Sequence, residues 1–252
     1  MKIFKFALIS IVALLVLIAC SDGNAESSKD STDKTPREVT SQEAQVLSTA
    51  LSNNAADKNA SFTITSGAIG STGFVAKGKV DWINSIVEVE VSLFATNQVD
   101  IGSVSTKENV FESFLGMSSL ANQASLEPKD WIVREFDPTK YGIDVLSQFI
   151  AKLAAPTPDN PILLKQNGAQ FLGTESIDGD EVSKFQNTPN VTYFLTNKGE
   201  MKKVSAKVTG FPSIVEVVFF DRTTTTIQVP NLEQAHTLED VVSFYPEKRP
   251  AF

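Results

Sequence analysis

From residue 61 the chain reads with a period of two. Phe62 and Ile64 alternate with Thr63 and Thr65. Further on, Val87, Val89, Val91 and Leu93 share one face while Glu88, Glu90 and Ser92 share the other. Such alternation predicts half-buried antiparallel strands. Phe74 to Trp82, Val99 to Val104, Asn109 to Phe114 and Trp131-Ile132-Val133 have the same character, with Gly67, Gly70 and Gly73 marking a turn. The last third is a run of hairpins. Gln170 to Ile177 and Glu181 to Gln186 flank Asp178-Gly179, a favoured two-residue turn. Val191 to Thr196 and Met201 to Val208 flank Asn197-Lys198-Gly199. Ile214 to Phe220 is apolar on both faces except for Glu216, which predicts a strand covered on both sides, and Thr223 to Val229 alternates again before Pro230.

Three stretches switch to helical spacing. Thr40 and Glu43 have the spacing of a capping box, and Ala44, Leu47, Ala50 and Leu51 line one face behind them. Between Tyr141 and Ala155, the residues Ile143, Leu146, Phe149, Ile150 and Leu153 form a wide apolar stripe that Pro156 and Pro158 end. Asn160, Pro161 and Gly168 bracket a short helix holding Ile162, Leu163 and Leu164. Residues 115 to 129 read as a short helix or a flap. Strands in two blocks joined by tight turns, without βαβ alternation, define an α+β fold with an antiparallel sheet. Two broad apolar helix faces need a large apolar partner, and the sheet is the one available. A strongly curved sheet, or half-open β-barrel, covering the helices satisfies both demands.

The first twenty residues follow another plan. Lys2 and Lys5 precede an apolar run from Phe6 to Ala19, broken only by Ser10, and small residues lead to Cys20. This is the layout of a secretory signal, and at about fourteen residues the run is short for a spanning helix. Leu17-Ile18-Ala19-Cys20 resembles the lipobox of bacterial lipoproteins. That resemblance implies cleavage before Cys20, diacylglycerol and further acyl chains (palmitate among them) on that cysteine, and a mature protein at the cell membrane on its extracytoplasmic face. Two or more chains hold firmly where one holds marginally. Residues 1–19 are thus the expected signal peptide. Residues 20–39, rich in Ser, Asp, Asn, Thr and Lys, form a tether of low apolar content. Residues 40–236 make the folded domain, and 237–252 a charged, proline-bearing tail.

Charge and composition then narrow the function. Removing residues 1–19 takes away Lys2 and Lys5 and no acid, so 22 basic against 30 acidic residues becomes 20 against 30, a balance of −10. Nucleic-acid binding, which needs Lys and Arg against phosphates, is an unfavourable class for such a chain. Cys20 is the single cysteine, so once it carries lipid no disulfide or cysteine metal site is expected. The single histidine, His236, lies in the tail and is expected to be exposed, away from any nucleophile. Gly67-Ala68-Ile69-Gly70-Ser71-Thr72-Gly73 lacks the Lys-Ser/Thr of a phosphate loop. Asp178-Gly179-Asp180-Glu181 lacks the spacing of a calcium loop. No catalytic residue, metal or cofactor is expected beyond the acyl chains on Cys20, and the chain does not read as an enzyme.

Several motifs in order carry a family resemblance. Leu172-Gly173-Thr174-Glu175-Ser176-Ile177-Asp178-Gly179, the hairpin from Tyr193-Phe194-Leu195 through Gly199 to Val204, and Val215 to Phe220 leading to Ile227-Gln228-Val229-Pro230 resemble the mycobacterial and actinobacterial LppX/LprG lipoproteins. Asp130-Trp131-Ile132 and the helix after it keep the same order. The resemblance implies a LolA-like half-barrel lidded by helices. It also implies an apolar cavity for acyl chains and a role in carrying or presenting membrane lipids or lipoglycans, with an envelope transporter as an unknown further partner. On that reading the cavity would be lined by Ile143, Leu146, Phe149, Ile150 and Leu153. On residue pattern alone the same stripe reads first as an ordinary helix-on-sheet core, and the resemblance brings the cavity reading level with it; Trp82 and Trp131 divide between cavity rim and core. A carboxylate at Glu216 would sit badly in a lipid cavity. The other function class is a lipid-anchored scaffold or partner-binding protein with a filled core.

Overall fold

The computed structural model describes residues 36–67, 73–93, 101–114, 117, 122, 126–127, 129–223 and 226–242. The signal segment, Cys20, the tether up to residue 35, the centre of the Gly67–Gly73 turn, most of 115–129 and the tail from 243 lie outside the described residues.

Among the described residues the strands are β1 Arg37–Glu38, β2 Asn59–Ser66, β3 Phe74–Asp81, β4 Ile86–Leu93, β5 Ile101–Ser105, β6 Asn109–Phe114 and β7 Trp131–Glu135. They continue as β8 Gln170–Ile177, β9 Asp180–Thr188, β10 Val191–Leu195, β11 Met201–Ala206, β12 Val215–Asp221 and β13 Ala235–Thr237. The helices are α1 Ser41–Asp57, α2 Gly142–Ala151, α3 Pro161–Gln166 and α4 Leu238–Val242, with a 3-10 turn at Leu232–Gln234. All the strands join one open sheet in the order β1-β8-β9-β10-β11-β12-β2-β3-β4-β5-β6-β7-β13. The sheet consists of two meanders, β2 to β7 and β8 to β12, sewn together where β12 pairs with β2. The fold is α+β with an antiparallel sheet, apart from one pair: β13 lies parallel to β7.

Local chemistry accounts for the boundaries. Thr40 caps α1 by accepting from Glu43 N–H, while Glu43 Oε2 accepts from Thr40 N–H at 2.8 Å, closing the expected capping box. Asn160 accepts from the N–H groups of Ile162 and Leu163, with Pro161 opening α3. Asp178 (φ 52°) and Gly179 (φ 88°) both sit at positive φ, as the two-residue β8–β9 turn requires. Arg37 and Glu38, expected in the tether, instead pair with Phe171 and Gln170, and Val39 is buried. Order therefore starts before residue 40. At the other end, residues expected in the tail supply the last residue of β13, Thr237, and the whole of α4.

One face of the sheet carries Phe62, Ile64, Ala76, Val80, Val87, Val89, Val215, Val217 and Phe219, all buried. Helix α1 packs there against β2, β10 and β11, and α2 against β3, β4 and β5. The opposite face of β2–β4 shows Thr63, Lys77, Lys79, Glu88 and Glu90. Strand β12 departs from its expected two-sided burial: Phe220 is 61% exposed and Ile214 just before it 59%, so only the helix side is covered. Thr223 to Val229 departs as well. Its described residues after Thr223 run from 226 without strand structure and cross the outer face, where Ile227 packs with Val104, Phe111 and Ala235. A backbone that must travel from β12 to β13 has no free strand edge to pair with on that path.

Candidate functional site

The predicted site is the stripe on α2. Leu146, Ile150 and Leu153 are buried in the main apolar cluster with Trp82, Val87 and Val89, and Ile143 and Phe149 pack half-buried against it. The five residues share the sheet side of the helix. Trp82 is held among them by donating its Nε1–H to Ile150 O at 3.1 Å. Trp131 lies on the other face of the sheet, half-buried beside Val104 and Phe111.

Polar contacts fix α2 at both ends. Tyr141 occupies the N-cap without a side-chain cap. In its place Asp144, fully buried, accepts from Arg134 Nη1 and Nη2, each at 2.7 Å, and from Asp137 N–H at 2.7 Å. Arg134 also donates to Glu112 Oε1 at 2.6 Å and stacks over the Tyr141 ring at 3.7 Å. Burial alone would lower the Arg134 pKa, but the hydrogen bonds it donates to Asp144 and Glu112 outweigh it and hold the guanidinium firmly charged. At mid-helix Ser147 Oγ and Ser105 Oγ lie 3.0 Å apart in a buried hydroxyl pair. Near the C-terminal end, Asn54 of α1 donates to Leu153 O at 2.6 Å.

This polar seam was missed by sequence reasoning, although a signal existed. In β7 the alternation places Arg134 on the same face as Ile132, at a position the pattern reserves for the core. A charge there calls for a buried partner. Beside the seam, Ser103 Oγ is buried without a hydrogen-bond partner among the described residues. His236 reverses its expectation: it is 8% exposed, registered with Ile132, and its Nε2 lies 2.6 Å from Glu127 O. As part of an edge strand added to β7, it is sheltered by its neighbours. Glu216 points to the outer face, where it accepts from Ser205 Oγ at 2.9 Å and its side chain is 45% exposed. It is therefore clear of the helix side.

Where α2 ends against β4 and β5, a cavity of about 260 Å³ opens to solvent. Val87, Phe136 and Ala151 give it an apolar floor, Ser105 and Ser147 present the hydroxyl pair, and Lys107 and Lys152 stand among the lining residues. Among the described residues no helix is long and apolar enough to cross a membrane, and no group of three His, Cys, Asp or Glu is arranged to hold a metal.

These features define an α+β protein with one open, almost wholly antiparallel sheet and its two longer helices laid on one face. No protein-family model matches the chain, and no curated protein sequence matches it. Among solved structures it is similar to an uncharacterised conserved protein of Thermus thermophilus, at TM-score 0.40 and 11% identity over 77% of this chain and 98% of that one. It is similar to a LolA superfamily protein of Nitrosomonas europaea, at TM-score 0.28 and 12% identity over 76% and 96%. A third similarity is to a chain of the Pseudomonas aeruginosa MucA/MucB complex, at TM-score 0.29 and 16% identity over 77% and 59%. Likenesses of this strength do not assign a ligand.

Proposed function

We propose that the chain is an acylated protein of the cell envelope, anchored through Cys20 on the extracytoplasmic face. In this role it binds a membrane lipid or lipoglycan between sheet and helices and carries or presents it, as the resemblance to LppX/LprG proteins implies. The observation that carries the reading is the contact of α2 with β3 and β4, where the apolar stripe packs on the sheet and a cavity lined in part by Val87 and Ala151 opens to solvent at the helix end. Burying an acyl chain offers about 0.8 kcal/mol per methylene. A seam that parts by a small helix displacement would therefore take up a chain without any polar site. No catalytic step or cofactor enters this function, and delivery to an envelope transporter would be a later step.

The test is to purify the full chain from its native membrane, extract it with solvent and analyse the extract by mass spectrometry. Uptake of a fluorescent acyl probe is measured in parallel. Co-purifying lipid and saturable uptake are expected, and recovery of neither would overturn the reading. Cys20→Ala should release the chain from the membrane fraction without abolishing uptake.

A second reading, a lipid-anchored scaffold, is favoured by one observation. The core beneath α1 and α2 is continuous, while Ile162 and Leu163 stand together at 65% and 52% exposure on α3. Replacing both with Asp would, on that reading, abolish partner recovery and leave acyl uptake untouched.

A further inference from the structure

In a chain with 30 acidic and 22 basic residues, the 260 Å³ cavity at the end of α2 is anomalous: its described lining holds Lys107 and Lys152 and no carboxylate. Neither ammonium has an ion-pair partner among the described residues, which is equally true of Lys58, Lys77, Lys198 and Lys207, so it is their place in one cavity that sets the two apart. Asp144, two turns earlier on α2, is paired with Arg134, which also holds Glu112, so one net negative charge remains in that cluster away from the cavity lining. The cavity also offers neutral donors. When two hydroxyls hydrogen-bond to each other, one proton bridges them and the other remains available, so the Ser105–Ser147 pair has a donor left. The Gln148 side chain adds an amide.

We propose that this cavity is an anion site that holds a phosphate-bearing group. Lysine suits this task as a compact point charge for phosphate. Two of them over a concave, partly apolar lining raise the local positive potential. Size decides which part of a ligand fits. At about 260 Å³ the cavity is smaller than the usual drug-sized pocket, which suits a phosphate with a few further atoms and not a long acyl chain. The negative end of the α2 dipole points this way and opposes an anion, and since the cavity sits at that last turn only solvent screening and the two ammonium charges reduce the term. Part of it is already met, since Ile150 O accepts from Trp82. The same chemistry serves a free phosphate ester or the head group of a phospholipid. In the second case this site would deepen the proposed function, with the head group held at the mouth of the α2 seam.

The experiment is a ³¹P NMR titration of the full chain in detergent with inorganic phosphate, glycerol 3-phosphate and dibutanoyl phosphatidate, with saturation read for each. Saturable binding of at least one probe is expected. The double variant Lys107→Gln/Lys152→Gln should weaken it at least ten-fold while the unfolding curve stays in place, because neither side chain has an ion-pair partner among the described residues. Raising salt from about 20 to 200 mM should weaken it several-fold, since the screening length falls to below about 10 Å. Tighter binding of the phosphatidate assigns the site to a lipid head group, and equal binding of all three assigns it to free phosphate. Absence of saturation with every probe, or binding that ignores the double variant, would overturn the proposal. Uptake of a neutral acyl probe is scored separately. A chain that takes up that probe but no phosphate retains the proposed function and loses this site, and the converse result retains the site alone.

Discussion

The two ends of the meander β2–β7 solve the same problem in opposite ways. In β2, β3 and β4 the helix side is hydrocarbon, as Phe62, Ile64, Ala76, Val80, Val87 and Val89 show, and the outer side is charged. From β5 onward the helix side becomes mixed. Register places Ser103 opposite Val89 and Ser105 opposite Val87, and then Glu112 and Arg134 fall on the same helix side beside the buried Val110 and Ile132. The outer face there is apolar: Val104, Phe111 and Val133, roofed by Ile227. A sheet with apolar side chains on both faces must be covered on both sides, and the segment returning from β12 to β13 supplies the second cover. The lesson is that α2 rests on hydrocarbon along one flank and is tied by charge along the other. A helix held this way has a defined seat and a polar edge along which it can part from the sheet.

The largest effects should come from breaking each half in its own currency. Phe62→Ala removes a fully buried ring that meets Phe219 edge-on, at a cost of about 3–5 kcal/mol. Arg134→Met removes the cation between Asp144 and Glu112, also at a cost of about 3–5 kcal/mol, because two carboxylates are left without their partner. Chemical denaturation measures both, and neutral isosteres separate them. Adding Asp144→Asn with Glu112→Gln should return part of the Arg134→Met deficit. The Phe62→Ala deficit should not respond in that way. Equal behaviour of the two variants would mean that the halves do not differ as described.

A smaller effect tests how tightly the apolar half is closed. A Cβ at Gly78 would stand 2.3 Å from Glu88 O and 2.5 Å from the Phe62 ring. Gly78→Ala should therefore cost about 1–3 kcal/mol, the usual range for overpacking. Its midpoint in thermal unfolding should fall below that of Gly168→Ala corrected for backbone strain, since nothing lies within 4 Å of a Cβ there.

The apolar half was legible in the sequence, and the polar half was not. Period two in Val87, Val89 and Val91, period 3.6 in Leu146, Ile150 and Leu153, and the turn residues Asp178-Gly179 each encode their outcome locally, so strands, helix and hairpin follow from neighbours in the chain. The tie of Arg134 to Asp144 depends on a hairpin closing and a helix docking across it, which no local period records. The same holds for His236. Its burial is decided by a parallel pairing with a strand about a hundred residues earlier, so its place near the end of the chain says nothing of its surroundings. Arg37 and Glu38 illustrate the reverse error: a polar composition reads as tether, yet two backbone pairings and one buried valine suffice to hold them.

The smallest effect sets a surface ion pair against the buried one. At the far edge of the sheet, Arg37 Nη2 lies 2.7 Å from Glu43 Oε1 with the side chains 39% and 21% exposed. The Arg37 hydrogen bond is the main reason the Glu43 carboxyl is lowered from 4.5 to about 2; burial opposes it, and the Thr40 N–H assists. A lowered carboxylate contributes stability that is complete above its unfolded value and is lost as pH falls through the folded one. The contribution should therefore be present at pH 5 and above and disappear between about 4.5 and 2. Glu43→Gln keeps an acceptor for the Thr40 cap and removes only the charge. At pH 7 it should cost about 0.5–1 kcal/mol, discounted for solvent screening as exposed pairs require. The wild-type and variant stabilities should converge by about pH 2. A gap that stayed constant down to that pH would assign the loss to the cap and not to the charge. The contrast between a tolerant edge pair and an intolerant buried one would then rest on Arg134 alone.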